Sequence, residues 1–284
     1  MKNVRLAMIL VLFAFGATTL AWSQDSKPDR ISVPLTNPGR PVMLKIGLIS
    51  GSIIVKASAV KEVAVEARMR KTDSNEDEDD GGKKSDRPKG LKLIPNTSSG
   101  LSVEEDDNVV TVNTGMWGGS RTIDLTVTVP TNCSMNLSTV NDGNIEVDNA
   151  AGDLEISNTN GRVTLDGISG SVVAHSLNED LVASFVKVNP QKPMSFSSMN
   201  GKIDVTLPAD TKATLFMKSD QGEVYSDFDM KVETTSVKQE ANTRDRKGKF
   251  RVTLDKGMRG TINGGGPEYQ FTNFNGDIYI RKGK

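Results

Sequence analysis

A nine-residue unit recurs through residues 141–186 and sets the terms on which this chain can fold: DGNIEVDNA, AGDLEISNT, NGRVTLDGI, SGSVVAHSL and the degenerate NEDLVASFV. Gly143, Gly152, Gly161 and Gly170 mark the same slot in successive units, and Glu179 fills it in the fifth. Two residues after that slot stand Ile145, Leu154, Val163, Val172 and Leu181, and two further on Val147, Ile156, Leu165, Ala174 and Ala183. Alternate strand residues share a face, so each unit reads as a short strand with two aliphatic side chains on one side and Glu146, Glu155 or Thr164 on the other. One unit cannot bury two aliphatic side chains alone, whereas stacked neighbours bury a continuous column. Gly, Asn and Asp gather at the unit boundaries, where the chain must turn.

The expected fold is therefore all-β, a β-solenoid. The alternative is an antiparallel meander or sandwich of short strands. Every unit carries its turn signal, aliphatic pair and polar residue in the same order, which favours helical stacking. With two units per coil, Ile145, Val163 and Leu181 form one column, and Leu154 and Val172 form the column facing it.

Ahead of the repeat, residues 1–23 combine Lys2 and Arg5 with an uncharged apolar run from Leu6 to Ala21 and small residues at Ala21 and Ser23. The run is short for a membrane span, and the pattern reads as a cleaved secretory signal peptide. The sequence-based location is thus exported: periplasm, outer-envelope surface or extracellular space, with no stable membrane span after cleavage. Removing the segment leaves a chain of net charge −3 by the count of Lys, Arg, Asp and Glu. Such a balance lacks the positive excess of a nucleic-acid or anionic-membrane binder. Cys133 is the sole cysteine, so no disulfide framework is available; in VPTNCSMNL it alternates like a buried strand residue.

Residues 31–284 read as a single domain. Its opening stretch 31–70 has the Gly-then-alternation grammar at Gly51, Ile53 and Val55, and is expected to be the first coil. Residues 71–90 have no aliphatic side chain and many charges, so they are expected to be a disordered insert. The spacing of 21 residues from Gly201 to Gly222 suggests a further full coil. Arg281, Lys282 and Lys284 would protect a terminal edge strand from pairing with another chain. Trp117, in a Gly-rich turn, would cover the end of the core or stack on a sugar.

The repeated NG-x-aliphatic-x-aliphatic grammar, the segment GKIDVTLPAD and the closing INGGGPEYQFTNFNGDIYI resemble the putative-adhesin domain family of bacterial envelope proteins. The resemblance spans most of residues 31–284. It implies an all-β, right-handed β-solenoid or β-helix-like repeat domain in an exported protein and supplies no functional residue set.

No catalytic, cofactor-binding or metal site is expected. The calcium-binding nonapeptide repeat fails at its ligand slot, which holds Asn144, Asp153, Arg162 and Ser171 in turn. Asp142, Asp148 and the 76–80 acidic run read as solvated turn and loop residues. His175, the only histidine, reads as an exposed turn residue, and a Ser-His-Asp set would depend on it. The expected function is a non-catalytic envelope protein whose solenoid surface binds or scaffolds an envelope or surface ligand, protein or glycan. The alternative is a polysaccharide lyase or hydrolase using a carboxylate pair such as Asp153/Glu155 or Asp142/Glu146.

Overall fold

The computed structural model describes residues 28–70, 100–114, 122–234 and 257–284. The signal-peptide reading, the 71–90 insert and Trp117 lie outside the described residues. All regular structure among those described is β. The strands are β1 (Asp29–Pro34), β2 (Val42–Ser50), β3 (Ile53–Ser58), β4 (Glu62–Met69), β5 (Leu101–Asp106), β6 (Val109–Thr114) and β7 (Ile123–Pro130). There follow β8 (Cys133–Asn141), β9 (Ile145–Asp148), β10 (Ala151–Asn158), β11 (Val163–Ser176), β12 (Leu181–Val188), β13 (Met194–Asn200) and β14 (Ile203–Leu207). The last six are β15 (Ala213–Ser219), β16 (Val224–Ser226), β17 (Lys231–Thr234), β18 (Met258–Ile262), β19 (Glu268–Asn275) and β20 (Ile278–Lys282).

Each nine-residue unit supplies one strand segment, two units make one coil, and β11 carries two units without a break. Ile145 pairs with Val163, and Val163 with Leu181, in parallel register, while Leu154 pairs with Val172. These pairings make the two columns expected from the repeat and rule out a meander through this region, where neighbouring strands would run antiparallel. Ile145, Val163 and Leu181 are fully buried, and the intervening Thr164 is not. β11 serves both stacks of strands. Its first half pairs with β9 and β12, the chain bends at Gly167 (φ 65°), and its second half pairs with β10 and β13.

The coils do not stack in chain order. One stack runs β7, β3, β9, β11, β12, β14, β20, β16, and the other runs β6, β2, β8, β10, β11, β13, β19, β15, all parallel. The β2–β3 coil therefore lies between β6–β7 and β8–β9, so it is the second coil of the stack and not the first. At the other end β19–β20 lies between β13–β14 and β15–β16, so the coils at Gly201 and Gly222 are not neighbours. β20 is enclosed on both edges, and its terminal charges do not guard an open one. Antiparallel strands finish the ends: β4 and β1 beyond β7, β5 beyond β6, and β18 and β17 beyond β15.

The glycine slot has a steric cause. A methyl group on Gly161 would lie 1.9 Å from the Gly143 carbonyl oxygen, and one on Gly143 would lie 2.0 Å from that of Gly51. Coils approach backbone to backbone at this corner, and only a residue without Cβ permits it. The corner carbonyls accept hydrogen bonds from inward side chains, three buried and Ser219 half-buried: Thr139 donates to Gly51 O (2.9 Å), Asn158 to Gly143 O (3.0 Å), Asn273 to Gly201 O (2.7 Å) and Ser219 to Gly276 O (2.9 Å). Ser176 donates to Gly161 O and to Glu179 O in the corner where the glycine is missing. Buried backbone acceptors need partners, and this internal ladder supplies them. Beyond the regular repeat the core takes in aromatics. Phe196 stacks on Phe271 with centroids 5.2 Å apart and meets the edge of Phe185 at 6.2 Å.

Candidate interaction surface

Outward-facing residues repeat as regularly as buried ones, and the register gathers them into columns along the solenoid. On the outer side of the stack containing β2, β8, β10, β11, β13 and β19, one column is Gly47, Ser138, Ser157, His175, Ser197 and Thr272. The next is Ile49, Val140, Thr159, Leu177, Met199 and Phe274, lying one position beyond the last paired inward residues. Ile49, Val140, Met199 and Phe274 are exposed although apolar, Ile49 at 75%. The adjoining corner carries Asn141, Asn160, Asn178, Asn200 and Asn275. Asn160 donates to Asn141 (2.9 Å), Asn178 to Asn160 (2.6 Å) and Asn200 to Asn178 (3.0 Å).

These three columns contain no Asp, Glu, Lys or Arg. With strands spaced about 4.8 Å apart, the panel runs about 24 Å along the axis. Charge returns at its borders. Lys218 and Asp220 follow at the β15 end, and Lys45 and Glu155 stand in the next column, where Asn136 donates to Glu155 (2.9 Å).

His175 is exposed, as the sequence suggests, but it is a strand residue of β11 and not a turn residue. Its Nδ1 lies 2.9 Å from Ser197 Oγ on the neighbouring strand. Among the described residues no hydrogen bond joins its other nitrogen to a carboxylate, the partner a Ser-His-Asp set uses. Asp153 is held by Lys192 and accepts from Ser171 (2.6 Å). The Lys192 ammonium and then the Ser171 hydroxyl keep its carboxyl below the usual range. Glu105 is lowered too, because the backbone amides of Thr36 and Asn108 donate to it. A general acid needs the opposite displacement.

The slot compared with calcium ligands is used for joining coils. Asn144 Oδ1 accepts from the Arg162 amide (3.0 Å), Asp180 Oδ1 from the Lys202 amide (3.1 Å) and Asp277 Oδ1 from the Glu223 amide (3.0 Å). Arg162 itself pairs with Asp180. Among the described residues no three His, Cys, Asp or Glu side chains group as metal ligands do. Cys133 is buried, and burial pushes its thiol up to about 12, which leaves it unreactive at neutral pH.

On the outer side of the other stack, Tyr279 in β20 and Tyr225 in β16 are register partners with rings stacked at 5.1 Å and 11°. Arg281 lies over Tyr279 at 5.2 Å and forms two hydrogen bonds to Asp204 of β14, at 2.6 and 3.0 Å. The Tyr279 hydroxyl donates to Asp277 (3.0 Å), which raises its pKa above the usual phenol value.

Sequence reading did not find the neutral panel or the tyrosine pair. The asparagines of the corner are unevenly spaced in the chain, and Tyr225 and Tyr279 meet only because β20 is intercalated.

Fold and surface together define a two-stack parallel β-solenoid with laddered outer columns. Residues 92–263 match the Toastrack DUF4097 family model, and the chain belongs to that family. Among solved structures it is similar to a putative cell adhesion protein from Clostridium sporogenes, with 12% identity, a TM-score of 0.47, and coverage of 90% of this chain and 100% of that one. It is also similar to a putative adhesin from Bacteroides fragilis, with 10% identity, a TM-score of 0.34, and coverage of 90% of this chain and 97% of that one. No curated protein matches it by sequence.

Proposed function

We propose that the protein is an exported, non-catalytic envelope component whose solenoid surface binds a partner in the adhesin-like manner, with the neutral panel as the contact face. The observation that carries this reading is the absence of formal charge from the three columns. At the chain's charged fraction of 25%, about four of those seventeen outward positions would be charged by composition alone. Exposed Ile49, Val140, Met199 and Phe274 share one column with Thr159 and half-buried Leu177, and exposed apolar side chains grouped on a solvated face mark an interaction surface. The downward displacement of Asp153 argues against its serving as the general acid of a hydrolytic pair. Export follows from the residue pattern of 1–23.

Cell fractionation with crosslinked pull-down tests both parts. The mature chain should begin after Ser23 and be recovered outside the cytoplasm. A Leu177→Lys/Met199→Lys variant should lose the crosslinked partner, and a Thr164→Lys control on the opposite face should keep it, at matched thermal midpoints. A full-length cytoplasmic protein, or equal capture by both variants, would refute the corresponding part.

A further inference from the structure

The tyrosine pair lies on the face away from the neutral panel, and the reading of that panel does not involve it. Tyr225, Ser226, Asp227, Tyr279, Ile280 and Arg281 line a recess of about 260 Å³. That is below the range of about 300–1,000 Å³ usual for drug-sized ligands, so it suits one ring-sized group. Tyr225 is 49% exposed. One ring face rests on Tyr279, and among the described residues no strand pairs beyond β16 to cover the other.

Two features fix this platform before any ligand arrives. Stacking and the Asp277 hydrogen bond hold Tyr279, while Asp204 pins Arg281 with two hydrogen bonds. Asp227 is oriented by accepting the Lys282 amide, and Ser226 Oγ accepts the Phe228 amide (3.1 Å). A flat aromatic surface thus stands beside a carboxylate, a hydroxyl and a guanidinium, all of settled direction. An aliphatic ligand would leave those polar groups unpaired on desolvation. A phosphate would meet Asp227 and Asp204 as well as Arg281. A pyranose has the matching chemistry, with a C–H face for the ring and equatorial hydroxyls that both donate and accept at the rim. Tyrosine supplies such contact area at little cost in side-chain entropy.

We infer that the Tyr225–Tyr279 platform with Asp227 is a binding subsite for a neutral saccharide unit, stacked on Tyr225 and hydrogen-bonded by Asp227, with Arg281 bracing Tyr279 from the side of β14. The subsite captures one unit of a longer glycan and does no chemistry on it. Its affinity is low per unit, and repeated copies of the protein on a surface would multiply it.

The test uses the full mature chain and three neutral probes: cellotetraose, maltotetraose and the tetramer of N-acetylglucosamine. Tyrosine ring resonances are followed by NMR as each is added. At least one probe should shift the Tyr225 and Tyr279 signals and saturate. Tyr225→Ala should weaken that binding by about three- to tenfold or more, the range of an aromatic contact, and Tyr225→Phe should retain it. Asp227→Asn should weaken binding with the thermal midpoint unchanged, which keeps the test informative if Tyr225→Ala unfolds β16. The inference is overturned if no probe moves the two tyrosines, if inorganic phosphate or indole moves them and the sugars do not, or if Tyr225→Ala and Asp227→Asn bind as the parent does. None of these outcomes bears on partner capture by the neutral panel.

Discussion

Val163 and Thr164 are adjacent in β11 and face opposite ways. Val163 is fully enclosed between Ile145 and Leu181 on its two neighbouring strands, and Thr164 looks outward between Glu146 and Val182. Burying a valine is worth about 1.5–3 kcal/mol, and a carboxylate in its place would be desolvated without a partner. Val163→Asp is expected to unfold the central coils. Thr164→Asp is expected to change stability by about 0.5 kcal/mol or less, the usual range for surface positions. Denaturant unfolding of the two variants measures the contrast, and equal effects would contradict the inward and outward assignment of the repeat.

At the scale of elements, the hairpin of β5 and β6 is tied to the segment after β1 by Asn108, by the Arg40–Asp107 pair and by Glu105. Glu105 accepts from the Thr36 amide (3.0 Å), the Thr36 hydroxyl (3.0 Å) and the Asn108 amide (2.9 Å). The two backbone donors hold its carboxyl below the ordinary glutamate value. A folded-state pKa below the unfolded one means a contribution fully present above the unfolded value and lost as pH falls through the folded one. Glu105→Gln should therefore lower the urea midpoint at neutral pH, and its difference from the parent should shrink through the acid range. A difference that stays constant down to about pH 2 would show that the ionised carboxylate has no such role.

The intercalated termini matter for the whole molecule. In a sequentially wound solenoid, cutting away the last coil exposes only the coil before it. Here β19–β20 holds β13–β14 to β15–β16, so removal of residues 267–284 opens a gap inside the stack. Hydrogen exchange on the truncated chain should show protection lost in β13, β14, β15 and β16 together, with β8 to β10 retaining theirs. Protection surviving in β15 and β16 would contradict the stacking order. The same arrangement holds β19–β20 on both edges without a disulfide, Cys133 being the only cysteine.

The repeat alone pointed to the solenoid, the two-strand coil and the buried columns, because each follows from side-chain alternation and from neighbours that lie 18 residues apart in the chain; it explained the corner glycines only as turn residues, and the close backbone approach that requires them came from the tertiary structure. His175 was legible as exposed, but whether it belonged to a turn or a strand depended on how far β11 continued past its bend at Gly167. The order of coils at the two ends was not legible. β3 pairs with β7 and β9, and β20 with β14 and β16, across sequence separations that no local pattern encodes. The same separations bring Ile49 to Val140, Met199 to Phe274 and Tyr225 to Tyr279. Local sequence could fix which side of its own strand each of these residues occupied, since that depends only on alternation, but the company each keeps is set by which strands lie side by side, and the tertiary structure decided that.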